Sequence, residues 1–134
     1  MTMIVCLDDR GGMTFNGRRL SRDRVVTQDI LNSSDGALYI TKYSQPLFSE
    51  FDGQYTVVDS FDGLSDKDFA LIENLSPSTY KNSADKIIIY KWNRTYPYDT
   101  VFDIDLSAEG YILSGSVEFE GYSHEKITKE IFER

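Results

Sequence analysis

The most strongly patterned segment of the chain is Lys86-Ile-Ile-Ile-Tyr-Lys-Trp92, where three consecutive isoleucines leave no polar face. A strand that is apolar on both faces must be covered on both, so this segment reads as a central strand. Met3 to Leu7 is a second apolar run, closed by Asp8-Asp9-Arg10-Gly11-Gly12, and reads as a buried strand ending in a turn. Asn16-Gly17 adds another tight turn. Ser21 is a candidate N-cap, and Val26 with Ile30 at i and i+4 supplies an apolar stripe. Together they predict a helix of about three turns, stopping at Asn32-Ser-Ser-Asp-Gly36. Ala37 to Thr41 is a short β-rich run, and Ser44-Gln-Pro46 is a helix start with proline near its first position.

Tyr55 to Val58 and Phe69 to Ile72 are strand candidates by their β-branched and aromatic content, and Ser76-Pro77 caps a brief helical turn through Tyr80. Asp99 to Asp105, and Tyr111 to Leu113 with Val117 and Phe119, add one or two more strands. The segment 123–134 fits two patterns. Ile127 and Ile131 among Glu125, Lys126, Lys129 and Glu130 match a helix, whereas Lys129 to Arg134 matches an alternating edge strand. Strands alternating with short helices predict an α/β three-layer architecture. Without a repeat, low-complexity tract or linker, residues 1–134 read as a single domain. The mass of 15.4 kDa corresponds to about 7,200 Å² of folded surface against about 22,300 Å² unfolded, enough burial for a core.

Charge narrows the range of partners. Twenty-two acidic against fourteen basic side chains give a formal charge of −8, which repels phosphate backbones, so no nucleic-acid partner is expected. Arg18, Arg19, Arg22 and Arg24 are a local basic exception. No apolar run approaches the roughly 18 to 20 residues of a membrane span, and Met1 to Leu7 lacks the charged start of a signal peptide. A cytoplasmic protein with no membrane partner is expected. The lone Cys6 lies in an apolar run and reads as a small buried thiol.

Candidate chemistry is sparse. Ser123-His124-Glu125 places a hydroxyl, an imidazole and a carboxylate side by side, but neighbours on a strand face opposite sides and cannot converge. His124 is a candidate catalytic base that also fits a surface or capping role. As the only histidine, it cannot belong to a histidine-rich zinc cluster. Asp103 and Asp105 would share a strand face and, with Asp99, form the best candidate cation site, although solvated surface acids explain them equally well. Arg94-Thr-Tyr-Pro-Tyr98 with Trp92 combines a guanidinium with aromatics, suited to stacking on a flat ring or packing a hairpin.

The order of these pieces resembles the dihydrofolate reductase family. Ala84-Asp85-Lys86-Ile-Ile-Ile-Tyr90 resembles that family's central strand, and Tyr98-Asp99-Thr100-Val101-Phe102 its Gly-Asp-Thr-x-Phe-Pro segment, with Tyr98 and Asp103 replacing the glycine and proline. Tyr111-Ile-Leu-Ser and the terminal Phe-Glu-Arg continue the likeness over residues 84–134. Ile4-Val-Cys-Leu-Asp-Asp, Gly12-Met13, Asn16-Gly17, the helix from Ser21 and Leu38-Tyr-Ile match its N-terminal half more loosely. The resemblance implies a dihydrofolate-reductase-like three-layer domain with a reduced mixed central sheet, short helices and a C-terminal strand. It implies a ligand crevice walled by Met13, Phe15, Asp23, Val26, Tyr43 and Tyr90, with Asp23 in the place of the carboxylate that holds a pterin ring, although Asp23 equally fits a favourable anion in the first turn of the helix.

The family's phosphate-binding turns are missing. Its Gly-Arg-x-Thr and Gly-Gly turns correspond here to Ile40-Thr-Lys-Tyr43 and Ile72-Glu-Asn-Leu-Ser76, which contain no glycine. Glu73 would also oppose a phosphate, since like charges about 4 Å apart at an effective dielectric near 20 repel by on the order of 4 kcal/mol. NADPH is therefore not an expected cofactor, and no other is implied. The expectation is a cofactor-independent small-molecule or protein-binding module. Its alternatives are a residual NADPH-dependent reductase of a pterin-like substrate, and an interaction subunit or homodimer using a sheet edge left open by lost elements between Phe48 and Tyr55 and between Phe61 and Phe69.

Overall fold

A computed structural model describes residues 1–134. The chain runs through β1 (Thr2–Leu7), β2 (Gly12–Phe15), β3 (Arg18–Arg19), α1 (Arg24–Ser34) and β4 (Leu38–Ile40). A 3₁₀ turn at Gln45–Phe48 precedes β5 (Tyr55–Val57) and β6 (Phe69–Leu71), and a second at Pro77–Ser83 precedes β7 (Lys86–Lys91). β8 (Thr100–Val101), β9 (Ile112–Phe119) and β10 (Ile127–Glu133) complete it. Seven strands form one mixed sheet in the order β5-β4-β6-β1-β7-β10-β9, while β3-β2-β8 form a small second sheet.

β1 and β7 are apolar all round because both their faces are covered. Met3, Val5, Ile87 and Ile89 face one layer with Phe61, Tyr80 and Tyr111. Ile4, Ile88 and Tyr90 face the other, under Val26, Ile30 and Leu31 of α1 and Phe48 of the first 3₁₀ turn. β1 pairs in parallel with β6 on one side and β7 on the other, which sets their carboxyl ends together at one rim of the sheet. The accessible surface is 7232 Å², as the mass predicts. No helix is long and apolar enough to cross a membrane.

The structure corrects three expectations. The N-cap of α1 is Asp23, whose carboxylate accepts the Val25 N–H at 2.9 Å, and Ser21 stands outside the helix. Both residues are good caps, and the carboxylate two positions later is the one held in place by other N–H donors. Between Asp99 and Asp105 only Thr100–Val101 is strand, and it pairs with β2 in the small sheet. Asp103 and Asp105 lie beyond it and share no strand face. The C-terminal segment is a strand but not an edge. β10 lies between β7 and β9, tied across the sheet by Lys91–Glu130 at 3.1 Å and Lys86–Glu133 at 3.4 Å. Pairing both edges of an amphipathic strand overrides its local helical spacing.

Ile4, wholly buried between β6 and β7, anchors this arrangement. Ile4→Ala is expected to lower stability by about 2–5 kcal/mol, read from the denaturation midpoint at unchanged m-value; a loss under about 0.5 kcal/mol would mean that the sheet is not the cooperative core.

Candidate functional site

Parallel sheets bind ligands outside the carboxyl ends of their strands, near the point where chain connections diverge. Here that point is beside β1, and the space above it is filled by the protein itself. The Arg19 guanidinium, carried in by β3, meets the Glu73 carboxylate just past β6 through Nε at 2.9 Å and a second contact at 3.1 Å. It also lies over the Tyr43 ring, 5.1 Å from the centroid, and donates to the Tyr43 carbonyl at 3.3 Å. Cys6 sits beneath, its thiol pushed up by burial and by the Glu73 charge, with Arg19 opposing. The gap between Cys6, Met13, Arg19, Glu73 and Trp92 holds only about 10 Å³, too little for a ring and barely enough for one water.

Beside this plug, two residues separated by 101 positions form a buried pair. Asp23 Oδ2 lies 2.9 Å from His124 Nδ1, with side-chain exposures of 0% and 2%. The Asp23 carboxylate accepts further N–H groups from Val25, Tyr122 and Ser123 at 2.8–2.9 Å, and the Ser123 hydroxyl at 3.2 Å. Burial alone would raise its carboxyl. The donors from Tyr122, Ser123, His124 and Val25 outweigh burial and hold it far below the usual carboxylate range. Gly121 makes this possible, because a Cβ there would stand 2.7 Å from Asp23 Oδ2 and 3.0 Å from the His124 carbonyl. The other imidazole nitrogen, Nε2, lies 2.9 Å from Ser21 Oγ and 3.4 Å from Tyr96 Oη. The ring stacks on Trp92, centroids 4.8 Å apart.

Asp23 and His124, expected as separate candidates, are thus brought together, and His124 is neither a surface residue nor a cap. Ser21 was expected only as a helix cap. No periodicity or spacing joins residues 21, 23 and 124, and only the fold reveals the set. The six expected crevice residues do not wall one crevice. Met13 packs in the core on one face of the sheet, while Val26 and Tyr90 pack on the other. Phe15 is exposed on β2, and Asp23 has its oxygens occupied within the protein. Tyr43 lines the rim beside Arg19. Tyr90 Oη donates to Asp29 at 2.6 Å, and burial followed by that carboxylate pushes its phenol up.

The acidic trio is also dispersed. Asp99 accepts the Asn16 N–H at 3.0 Å, Asp103 accepts both Ser76 and Ser78 hydroxyls, and Asp105 accepts the Ala108 N–H at 3.2 Å. No group of three metal-ligating side chains converges anywhere in the chain. At the basic end, a groove of about 590 Å³ is lined by Gly17, Arg18, Arg19, Ser21, Arg22 and Tyr43. Arg19 and Arg24 have carboxylate partners in Glu73 and Glu50, whereas Arg18 and Arg22 have none within ion-pair distance.

No family model matches the sequence, and no curated protein does. Among solved structures the chain is similar to dihydrofolate reductase from Enterococcus faecalis complexed with NADP(H) and RAB-propyl, at a TM-score of 0.70 and 12% identity, over 99% of this chain and 95% of that one. The chain therefore has the dihydrofolate reductase fold. Its sequence is far from that neighbour's, so the likeness is one of architecture.

The Asp23 network has a consequence for acid stability. A carboxyl lowered on folding contributes stability that is complete above its unfolded value and is lost as pH falls through the folded one. Asp23→Asn is expected to cost about 1–3 kcal/mol at neutral pH. The gap to the unaltered protein should narrow below about pH 4, measured by denaturation at a series of pH values. A gap that stays constant from pH 7 to pH 2 would show that the Asp23 charge does not matter.

Proposed function

We propose that this protein uses the dihydrofolate reductase fold without NADPH, as a binding module for a small anionic molecule. The observation that carries the reading is the Arg19–Glu73–Tyr43 plug, which occupies the crevice at the carboxyl ends of the strands. A nicotinamide or pterin ring there would have to break a half-buried ion pair and displace Tyr43. The glycine-free stretches after β4 and β6 add support, since backbone N–H groups cannot approach a phosphate closely there. Beside the plug, a groove over Arg18, Arg22 and Tyr43 stays open and is within the size range of small-molecule sites. Its two unpaired guanidiniums, in a chain of net charge −8, select an anion small enough to avoid the acidic surroundings.

Trp92 is the sole tryptophan and lies against both the plug and His124, so its emission reports on this region. Titration with glutarate is expected to give a saturable change that the Arg18→Ala/Arg22→Ala double variant weakens about tenfold, the worth of one to two charge-assisted hydrogen bonds. NADPH and dihydrofolate are expected to give none. Saturable NADPH binding would overturn the reading and restore a reductase.

A second reading comes from β9, an eight-residue strand hydrogen-bonded only to β10. Ile112, Leu113 and Val117 are 73%, 49% and 53% exposed along it. An open edge carrying apolar side chains favours pairing with another strand, and we propose a second copy of β9 as the partner. Sedimentation is then expected to show a dimer at about 100 μM that Val117→Lys dissociates, as a charge on an edge strand does. A monomer at that concentration would dismiss the dimer.

A further inference from the structure

The atoms around His124 are ordered as in a charge-stabilised nucleophile. Ionised Asp23 can only accept, so when the imidazole carries a single hydrogen the contact at Nδ1 fixes it there and leaves Nε2 as an acceptor. Ser21 Oγ, 2.9 Å from Nε2, then has its hydrogen directed at a base. Both contacts fall within the reach required of a nucleophile, a base and its orienting acid. We propose that Ser21, His124 and Asp23 form an acyl-transfer site that hydrolyses small anionic carboxylic esters, an activity that rests on the anion-binding reading above.

Two features set this arrangement apart from a hydrogen-bonded core cluster. His124 and Asp23 are buried, whereas Ser21 is half-buried and lines the groove that also holds Arg18, Arg19 and Arg22. A carboxylate-bearing ester held by Arg18 and Arg22 would thus lie beside the hydroxyl nearest the Nε2 of the imidazole base. The backbone N–H groups of Ser21 and Arg22, just ahead of the first turn of α1, donate to no acceptor within the chain. They are the unpaired donors nearest Ser21 Oγ, and the N–H following a nucleophilic serine commonly serves a carbonyl oxygen. Tyr96 Oη, at 3.4 Å, is the weaker partner of Nε2 and borders the same imidazole edge.

The reaction balances without a further reagent. Ser21 Oγ attacks the ester carbon as its proton passes to His124 Nε2. The tetrahedral adduct expels the alcohol, which takes that proton, and leaves Ser21 acylated. Water then attacks the acyl carbon, giving its proton to His124. The carboxylic acid departs, and the proton returns to Ser21 Oγ. Asp23 acts as a positioning residue that holds the tautomer and steadies the imidazolium.

A fluorophosphonate probe and two chromogenic esters, mono-p-nitrophenyl glutarate and p-nitrophenyl acetate, test this on the intact chain. The probe is expected to label Ser21, located by peptide mass mapping. The glutarate ester should be preferred over the acetate by about tenfold in kcat/KM, equivalent to one good charge-assisted contact. Ser21→Ala should abolish labelling and turnover while leaving the protein folded, with a melting temperature lowered only by the loss of one hydrogen bond to His124 Nε2. Asp23→Asn should lower kcat about 100-fold or more at unchanged KM, a split that loss of packing alone would not produce. Should the Asp23 variant fail to fold, the Ser21→Ala comparison still decides. Glutarate binding without Ser21 labelling or ester turnover overturns the catalytic assignment and leaves the binding reading standing. Ser21 labelling with equal turnover of both esters upholds the serine and overturns the anionic substrate.

Discussion

One buried anion holds this end of the molecule together. The Asp23 carboxylate caps α1, receives the N–H groups of Tyr122 and Ser123 from the turn between β9 and β10, and orients His124. A charge with no exposed surface is tolerable only when every lone pair is met, and here five donors from two distant parts of the chain meet them. The position of α1 over the sheet, the path of the β9–β10 turn and the pose of the imidazole are therefore one arrangement. Gly121 belongs to it through what it lacks, since any side chain there would collide with the carboxylate.

The same rim of the sheet contains an ion pair of opposite consequence. Arg19 and Glu73 fill the space that parallel strands with this connectivity ordinarily leave to a ligand. Both groups are only partly exposed, so separating them would leave two charges poorly solvated, and an incoming heterocycle would have to compensate for both. A shared fold does not by itself carry a neighbour's ligands to another chain. What the chain could bind is decided by its own residues, and these offer guanidiniums and a hydroxyl at the rim in place of a dry slot.

Much of the scaffold was legible from local pattern. Lys86 to Trp92 and Met3 to Leu7 were readable as strands buried on both faces because nothing polar interrupts them, and Val26 with Ile30 marked the inner face of α1. The reading failed where the deciding partner was remote. Ser21 and Asp23 are both good caps, and the choice between them was made by N–H groups a hundred residues away. The C-terminal segment carries helical spacing, yet both its edges are hydrogen-bonded to strands that sequence alone does not place beside it. Asp99, Asp103 and Asp105 looked like a cluster in one dimension, and each instead tethers a different loop.

The rim residues illustrate why a site is harder to read than a fold. A core tolerates any apolar side chain of suitable volume, so its signal is spread over many positions and survives local misreading. A site needs particular atoms at hydrogen-bond distance, and Ser21, Asp23 and His124 carry no mark of belonging together until a helix start and a strand turn are folded against each other. Ser123 and Glu125, the neighbours that made His124 look chemical in the sequence, are not what completes the arrangement. Ser123 serves the Asp23 carboxylate at 2.8 Å through its N–H, and Glu125 points into solvent. The imidazole's working edge faces Ser21, so the serine that matters is the one whose capping role passed to Asp23. Outside the helix, its hydroxyl meets Nε2 and lies on the groove side of the buried pair.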